Sequence, residues 1–247
     1  MAKTTYQIQL MDRATGKAII ASGGTAYIVA ASGTAKKTLL NASTGASLAN
    51  PFTPTRGNIA FAIDSVSPLE STVDAYIMCP GGQFVVARGI KTGNPTEVWV
   101  DTFNREQVLI QPFDIADTAA ATATDVGFDF VAGMIIKPEA SIFVTAVDAT
   151  ETIDVGLKAA ESGGDADGFL VQVSVATLGA VQGLCATTAT LGALLRETVT
   201  DSGAATSSVR VPYVVAAAVS LSYTLSTGTD TAAGFIQIPY RIGANAA

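Results

Sequence analysis

The stretch Glu161-Ser-Gly-Gly-Asp-Ala-Asp-Gly168 holds the residue types best able to bind a hard cation. Alternating carboxylates supply oxygen ligands, and glycine permits the sharp turn that a calcium loop needs. A helix-flanked loop of that kind places a Glu about eleven residues after its first Asp. The residue at that distance from Asp165 is Ala176, so the pattern is incomplete. Between two strands the same residues suit a hairpin turn, because Gly and Asp tolerate positive φ. A turn is the expected role of Asp165 and Asp167, with calcium ligation the alternative. Asp64, Glu70 and Asp74 flank another loop, and paired carboxylates can hydrolyse glycosides. Nothing in their spacing fixes a pair, and a solvated surface is expected for all three.

Other chemistry is excluded more firmly. The chain has no histidine, so a Ser-His-Asp triad cannot form, and neither G-x-S-x-G nor a phosphate loop occurs. Cys79 and Cys185 are too few for a four-ligand zinc site and read as small buried hydrophobes kept reduced. The sole tryptophan, Trp99, alternates with Val98 and Val100, which places it on one strand face and the valines on the other. Burial in a core or between units is expected for it, with sugar stacking as the alternative. No catalytic, cofactor-binding or metal-ligating residue is assigned, and a protein that is not an enzyme is expected.

The elements that carry these residues read as strands. Ala26–Ala31, Ile59–Ile63, Val73–Met78 and Phe84–Ala87 are short β-branched or aromatic runs, separated by Gly, Pro, Asn and Ser clusters. Ser141–Val147, Thr152–Leu157 and Gly168–Val175 continue the style. In Val126-Gly-Phe-Asp-Phe130 the residues Val126, Phe128 and Phe130 share a face. Val219–Leu225 alternates apolar residues with Ser or Thr, the pattern of a strand with one wet face. Pro239, within Gly234–Ile242, lacks a donor and predicts a sheet edge or strand end. Thr190–Val199 is the one candidate for a helix, an alternative left open because Gly192 weakens the helix and Thr198-Val199 favour strand. The expectation is an all-β protein, sandwich- or jelly-roll-like. Two consecutive units, residues 1–107 and 108–247, are preferred over one continuous sandwich with a long crossover near Lys91–Pro112.

Composition limits the partners. With 49% apolar residues in a chain of 247, burying a core is no difficulty. The net charge of −7 argues against nucleic acid and anionic lipid. The longest apolar run, Tyr213–Val219, is far short of the ~20 residues that span a bilayer. No apolar stretch of secretory type follows Lys3, so synthesis in a cytoplasm is expected. Charged residues make up only 14%, against about 25% in ordinary soluble domains. That shortage predicts a surface largely covered by other polypeptides. The segment Met1–Leu10 could serve as an arm that adds a strand to a neighbour's sheet.

Two stretches carry a resemblance. Gly24–Val29, Lys37–Pro51 and Gly57–Ile63, followed by Val73-Asp74, resemble small β-sandwich modules of tailed-bacteriophage virion proteins. Thr150–Leu157, Gly163–Phe169 and Thr229–Tyr240 are similar to phage head-associated structural proteins. The resemblance implies a viral structural protein of the bacteriophage virion, most like a capsid decoration (cement) protein. Such a protein would be a homo-oligomer, often a trimer, on the capsid surface, and would reinforce the lattice of the major capsid protein by protein–protein interaction. Alternatives are a neck, tail or fibre-base role, or a host-surface polysaccharide binder acting through Trp99. A metal-dependent hydrolase built on Asp165 and Asp167 is the remaining rival.

Overall fold

A computed structural model of the chain describes residues 3–13, 15–19, 24–54, 58–64, 72–79, 83–93, 95–100, 106–114, 123–185, 189–200, 206–226 and 231–242. The fold is nearly all β, with 61% of residues in strands arranged in several sheets and consistent with a sandwich. The chain divides into two compact units, Met1–Phe103 and Asn104–Ala247. A division at residue 108 would cut a strand that is paired along its whole length, and the break comes before it.

The N-terminal unit contains β1 (Lys3–Asp12), β2 (Thr25–Ala30), β3 (Leu39–Leu40), β4 (Ser47–Leu48), β5 (Asn58–Asp64), β6 (Thr72–Met78), β7 (Phe84–Lys91) and β8 (Thr96–Val100). One sheet runs β4-β3-β5-β1-β8 and the other β2-β6-β7. Alternation in β1 sends Tyr6, Ile8 and Leu10 inward, each 1% exposed or less. They meet Ile59 and Phe61 of β5, and Ile28, Val73, Ala75 and Ile77 from the second sheet, in one core. Tyr6 and Phe61 stack with centroids 5.2 Å apart. The N-terminal segment is therefore not a spare arm: Ile8–Asp12 has β8 on one side, and β5 pairs with Lys3–Gln9 on the other.

The C-terminal unit adds β9 (Glu106–Asp114), β10 (Thr124–Phe130), β11 (Ile135–Ile136), β12 (Ser141–Ala146), β13 (Thr152–Leu157), β14 (Asp165–Ser174) and β15 (Gly179–Gln182). It continues with β16 (Arg196–Thr200), β17 (Thr206–Arg210), β18 (Tyr213–Val214), β19 (Val219–Leu225) and β20 (Ala233–Arg241). A four-stranded sheet, β10-β19-β13-β14, faces a six-stranded one, β15-β12-β20-β11-β18 with β9 along the other edge of β20. Edge-to-face aromatic pairs join the two sheets: Phe113 with Tyr223 at 6.3 Å, and Phe130 with Tyr240 at 6.2 Å. Such pairs contribute about 1 kcal/mol each beyond their burial. Phe128 and Phe130 both point into this core, whereas the side chain of Val126 lies outside the described residues.

Three local expectations are corrected here. The window Thr190–Val199 forms a single 3-10 turn, Ala193–Leu195, before β16 begins, so strand propensity wins after Leu195. The polar face of β19 is not wet: Ser220 and Ser222 are buried, because β10 and β13 flank the strand and Glu161 covers it. The Ser220 N–H donates to Glu161 Oε2 at 2.7 Å, and its hydroxyl bonds Asp129 Oδ1 at 2.7 Å. Pro239 lies inside β20 with partners on both sides. Its carbonyl accepts from the Lys137 N–H, so its missing donor points to the same side, into the gap between the end of β12 at Gln237 and the start of β11 at Tyr240.

Candidate interaction surface

The carboxylates singled out by spacing do structural work. The tight turn falls at residues 159–163, and Asp165 already begins β14. Register jumps from Leu157↔Asp165 to Val155↔Leu170, so β14 bulges over Gly156. A Cβ on Gly156 would overlap the Asp165 carbonyl oxygen, and one on Gly192 would overlap that of Asp167. The Asp-Ala-Asp-Gly segment is thus clamped between two glycines. Burial raises the Asp165 carboxyl above its ordinary range, and a hydrogen bond and like charge from Asp167 push the same way. Asp154 is also raised by burial, opposed by the Gln172 N–H at 2.6 Å and reinforced by Asp167. Among the described residues, no group of three or more Asp, Glu, Cys or His is arranged to hold a metal.

Asp74 overturns the solvated-surface expectation, being 2% exposed. It accepts from the Ser32 N–H at 3.0 Å and the Gly89 N–H at 2.7 Å, with Arg88 at 3.6 Å. Gly89 has φ +62 at a bulge where β6 and β7 change register, and Asp74 satisfies the backbone donor that this bulge displaces. Asp64's side chain and Glu70 lie outside the described residues. Cys79 is buried, which pushes its thiol up to about 12, whereas Cys185 is only half-buried. An open groove of about 400 Å³, lined by Asn41, Ser43, Phe52, Thr53 and Asn58 among others, has no titratable side chain among its described residues.

Trp99 is not buried. At 42% exposure it stands outward while Val100 fills the core, so the alternation holds and the inward face is the valine one. β1 and β5 place Gln7, Gln9 and Asn58 on that same outer face, beside Glu97. Gln7 donates to Asn58 Oδ1 at 3.3 Å. This outer face is polar, with Met11 and Trp99 at one end.

The outer face of the six-stranded sheet differs. Antiparallel partners lie on one side of a sheet. The register therefore aligns Phe143 with Phe235 and Pro112, Gln237 with Ile110 and Ser141, and Pro239 with Val108. Ile135 and Val214 extend the face beyond Arg241. Val214 is 57% exposed, Val108 45% and Phe143 41%. Charge appears at the two ends, where Arg241 and Glu106 pair across the strands and where Asp114 lies opposite Ala233. Lys137 bonds Glu106 and holds its carboxyl below the usual range. At the opposite margin β15 ends the sheet, flanked by the exposed Leu178 and Leu184. Sequence reasoning missed this face because no single strand shows it: residues from β9, β11, β12, β18 and β20 compose it.

Compared with known proteins, the chain matches no family model and no curated sequence. No helix among the described residues is long and apolar enough to cross a membrane.

Proposed function

We propose that this chain is a structural protein of a tailed-phage particle, bound on the outside of the capsid lattice, where it reinforces contacts between capsomers. The observation that carries the reading is where apolar surface is exposed. Among the described residues, the large apolar side chains left in solvent are Trp99 and seven in the C-terminal unit: Val108, Phe143, Val147, Leu178, Leu184, Val209 and Val214. Apolar area of this extent marks a surface that other polypeptides cover. Among the described residues the edge strand β15 has no strand on its outer side, which makes it a template for strand addition by a lattice subunit. Binding of this kind stabilises a shell by mass action, since each copy holds the assembled state and not the dissociated one.

Particles released by the cell that encodes this chain provide the test. Quantitative mass spectrometry of purified heads is expected to find the chain in hundreds of copies, with antibody label over the head. A few copies at a vertex or on the tail would move the protein to the neck or fibre base. Absence from particles would overturn the reading.

Exposed Trp99, on the same outer face as Gln7, Gln9 and Asn58, favours a second reading, a host-surface polysaccharide binder, since amides and an indole face suit sugar hydroxyls and rings. Binding on a glycan array that disappears in Trp99→Ala would establish it.

A further inference from the structure

The outer face of the six-stranded sheet needs one occupant, and three features of the face bear on what it is. The first is charge. The chain carries −7 overall, yet the charges of this face sit at its two ends, Glu106, Arg241 and the adjacent Lys137 at one and Asp114, opposite Ala233, at the other, and its middle carries none. A basic partner would find no acid in that middle. Two copies can meet through the middle of the face without burying an ion, which is the costly event in any interface.

The second is area. β20 has nine residues, and at any level the face is four strands wide: β15, β12, β20 and β9 at one end, β18, β11, β20 and β9 at the other. At about 3.3 Å per residue and 4.8 Å per strand, that is about 600 Å² per copy. Because Ser141 and Pro112 are already buried, a pair would bury at most about 1,200 Å², the low end for specific complexes and below that of obligate ones.

The third is shape. Phe143, Phe235, Ile110, Val108 and Ile135 are side chains of the kind that interdigitate between stacked sheets about 10 Å apart. A face of this type on each partner satisfies the self-complementarity that a two-fold contact demands.

We propose that this face is covered by the same face of a second copy of the chain, sheet on sheet. The proposal deepens the reading of a covered structural protein by naming which partner lies on this sheet, and leaves β15 to the lattice.

Sedimentation equilibrium of the full chain, up to about 100 μM, tests it. The expected result is a concentration-dependent doubling of mass. Phe143→Glu and, separately, Val108→Glu are expected to weaken it more than about tenfold, since each buries an unpaired charge in the contact. Both side chains are exposed, and circular dichroism with thermal unfolding verifies that the variants fold. Trp99→Glu, in the other unit, is expected to associate as the parent does. A monomer throughout the range overturns the proposal, as does association that both variants leave intact. Detection of the chain on particles is read separately. A monomeric chain that decorates heads defeats the pairing and spares the particle reading, and a pairing chain missing from particles does the reverse.

Discussion

The two units bury similar interiors and present opposite exteriors. In the N-terminal unit the stacked Tyr6 and Phe61 lie beneath a face of Gln7, Gln9 and Asn58. In the C-terminal unit Phe113 and Tyr240 lie beneath a face of Phe143, Val108 and Ile135. The interiors specify two sandwiches. The difference between the units therefore resides in the outward alternation partner of each strand: amide in β1, apolar in the middle of β9, β12 and β20. Glutamine keeps its hydrogen bonds to water when the molecule is alone. Phenylalanine at the equivalent depth gains only when another surface removes it from water.

If that comparison is right, interior lesions cost stability and spare association, while outer lesions do the reverse. The largest loss is expected from Gly192→Ala, whose Cβ would overlap the Asp167 carbonyl and force the backbone apart; denaturant titration is expected to show a loss of about 3 kcal/mol or more. Asp74→Ala strands the Ser32 and Gly89 N–H groups and is expected to cost about 2–3 kcal/mol by the same measurement. Exchanging exteriors sharpens the contrast. Phe143→Gln with Val108→Gln gives the C-terminal face the character of the N-terminal one, and is expected to change stability by less than about 0.5 kcal/mol. A larger loss of stability in that double variant would show that the face is held by intramolecular contacts, and would break the comparison.

The smallest effect concerns pH. Asp165 has its carboxyl raised in the folded chain, so as pH falls the folded state takes up the proton before the unfolded one does. Stability attributable to this group rises on acidification from neutrality through the folded value, and levels off below the ordinary carboxylate value. Asp165→Asn is expected to flatten that slope, read from unfolding curves between about pH 4 and pH 7.

Strand content was legible because alternation and turn residues are local signals. β2, β5, β6, β12, β13 and β19 fall where their β-branched runs are. What escaped was everything decided by a second strand. Trp99 and Val98/Val100 alternate correctly, but their spacing does not say which set meets a core. Ser220 and Ser222 mimic a wet face until Glu161 and the flanking strands cover them. Asp74 resembles a surface carboxylate because its donors come from positions 32 and 89, far away in sequence. The apolar exterior of the C-terminal unit escaped for the same reason, being assembled across five strands.

Pro239 has a consequence for how β20 finds its neighbours. In the observed register its ring occupies the one step on that flank where β12 has ended and β11 has not begun, so no ladder bond is forfeited. Shifting β20 by a single position would turn the imino nitrogen toward β9, which accompanies it throughout, and would also exchange the inward and outward side chains. The proline thus acts as a detent: it tolerates one alignment of the longest pairing in the molecule and penalises the next on either side.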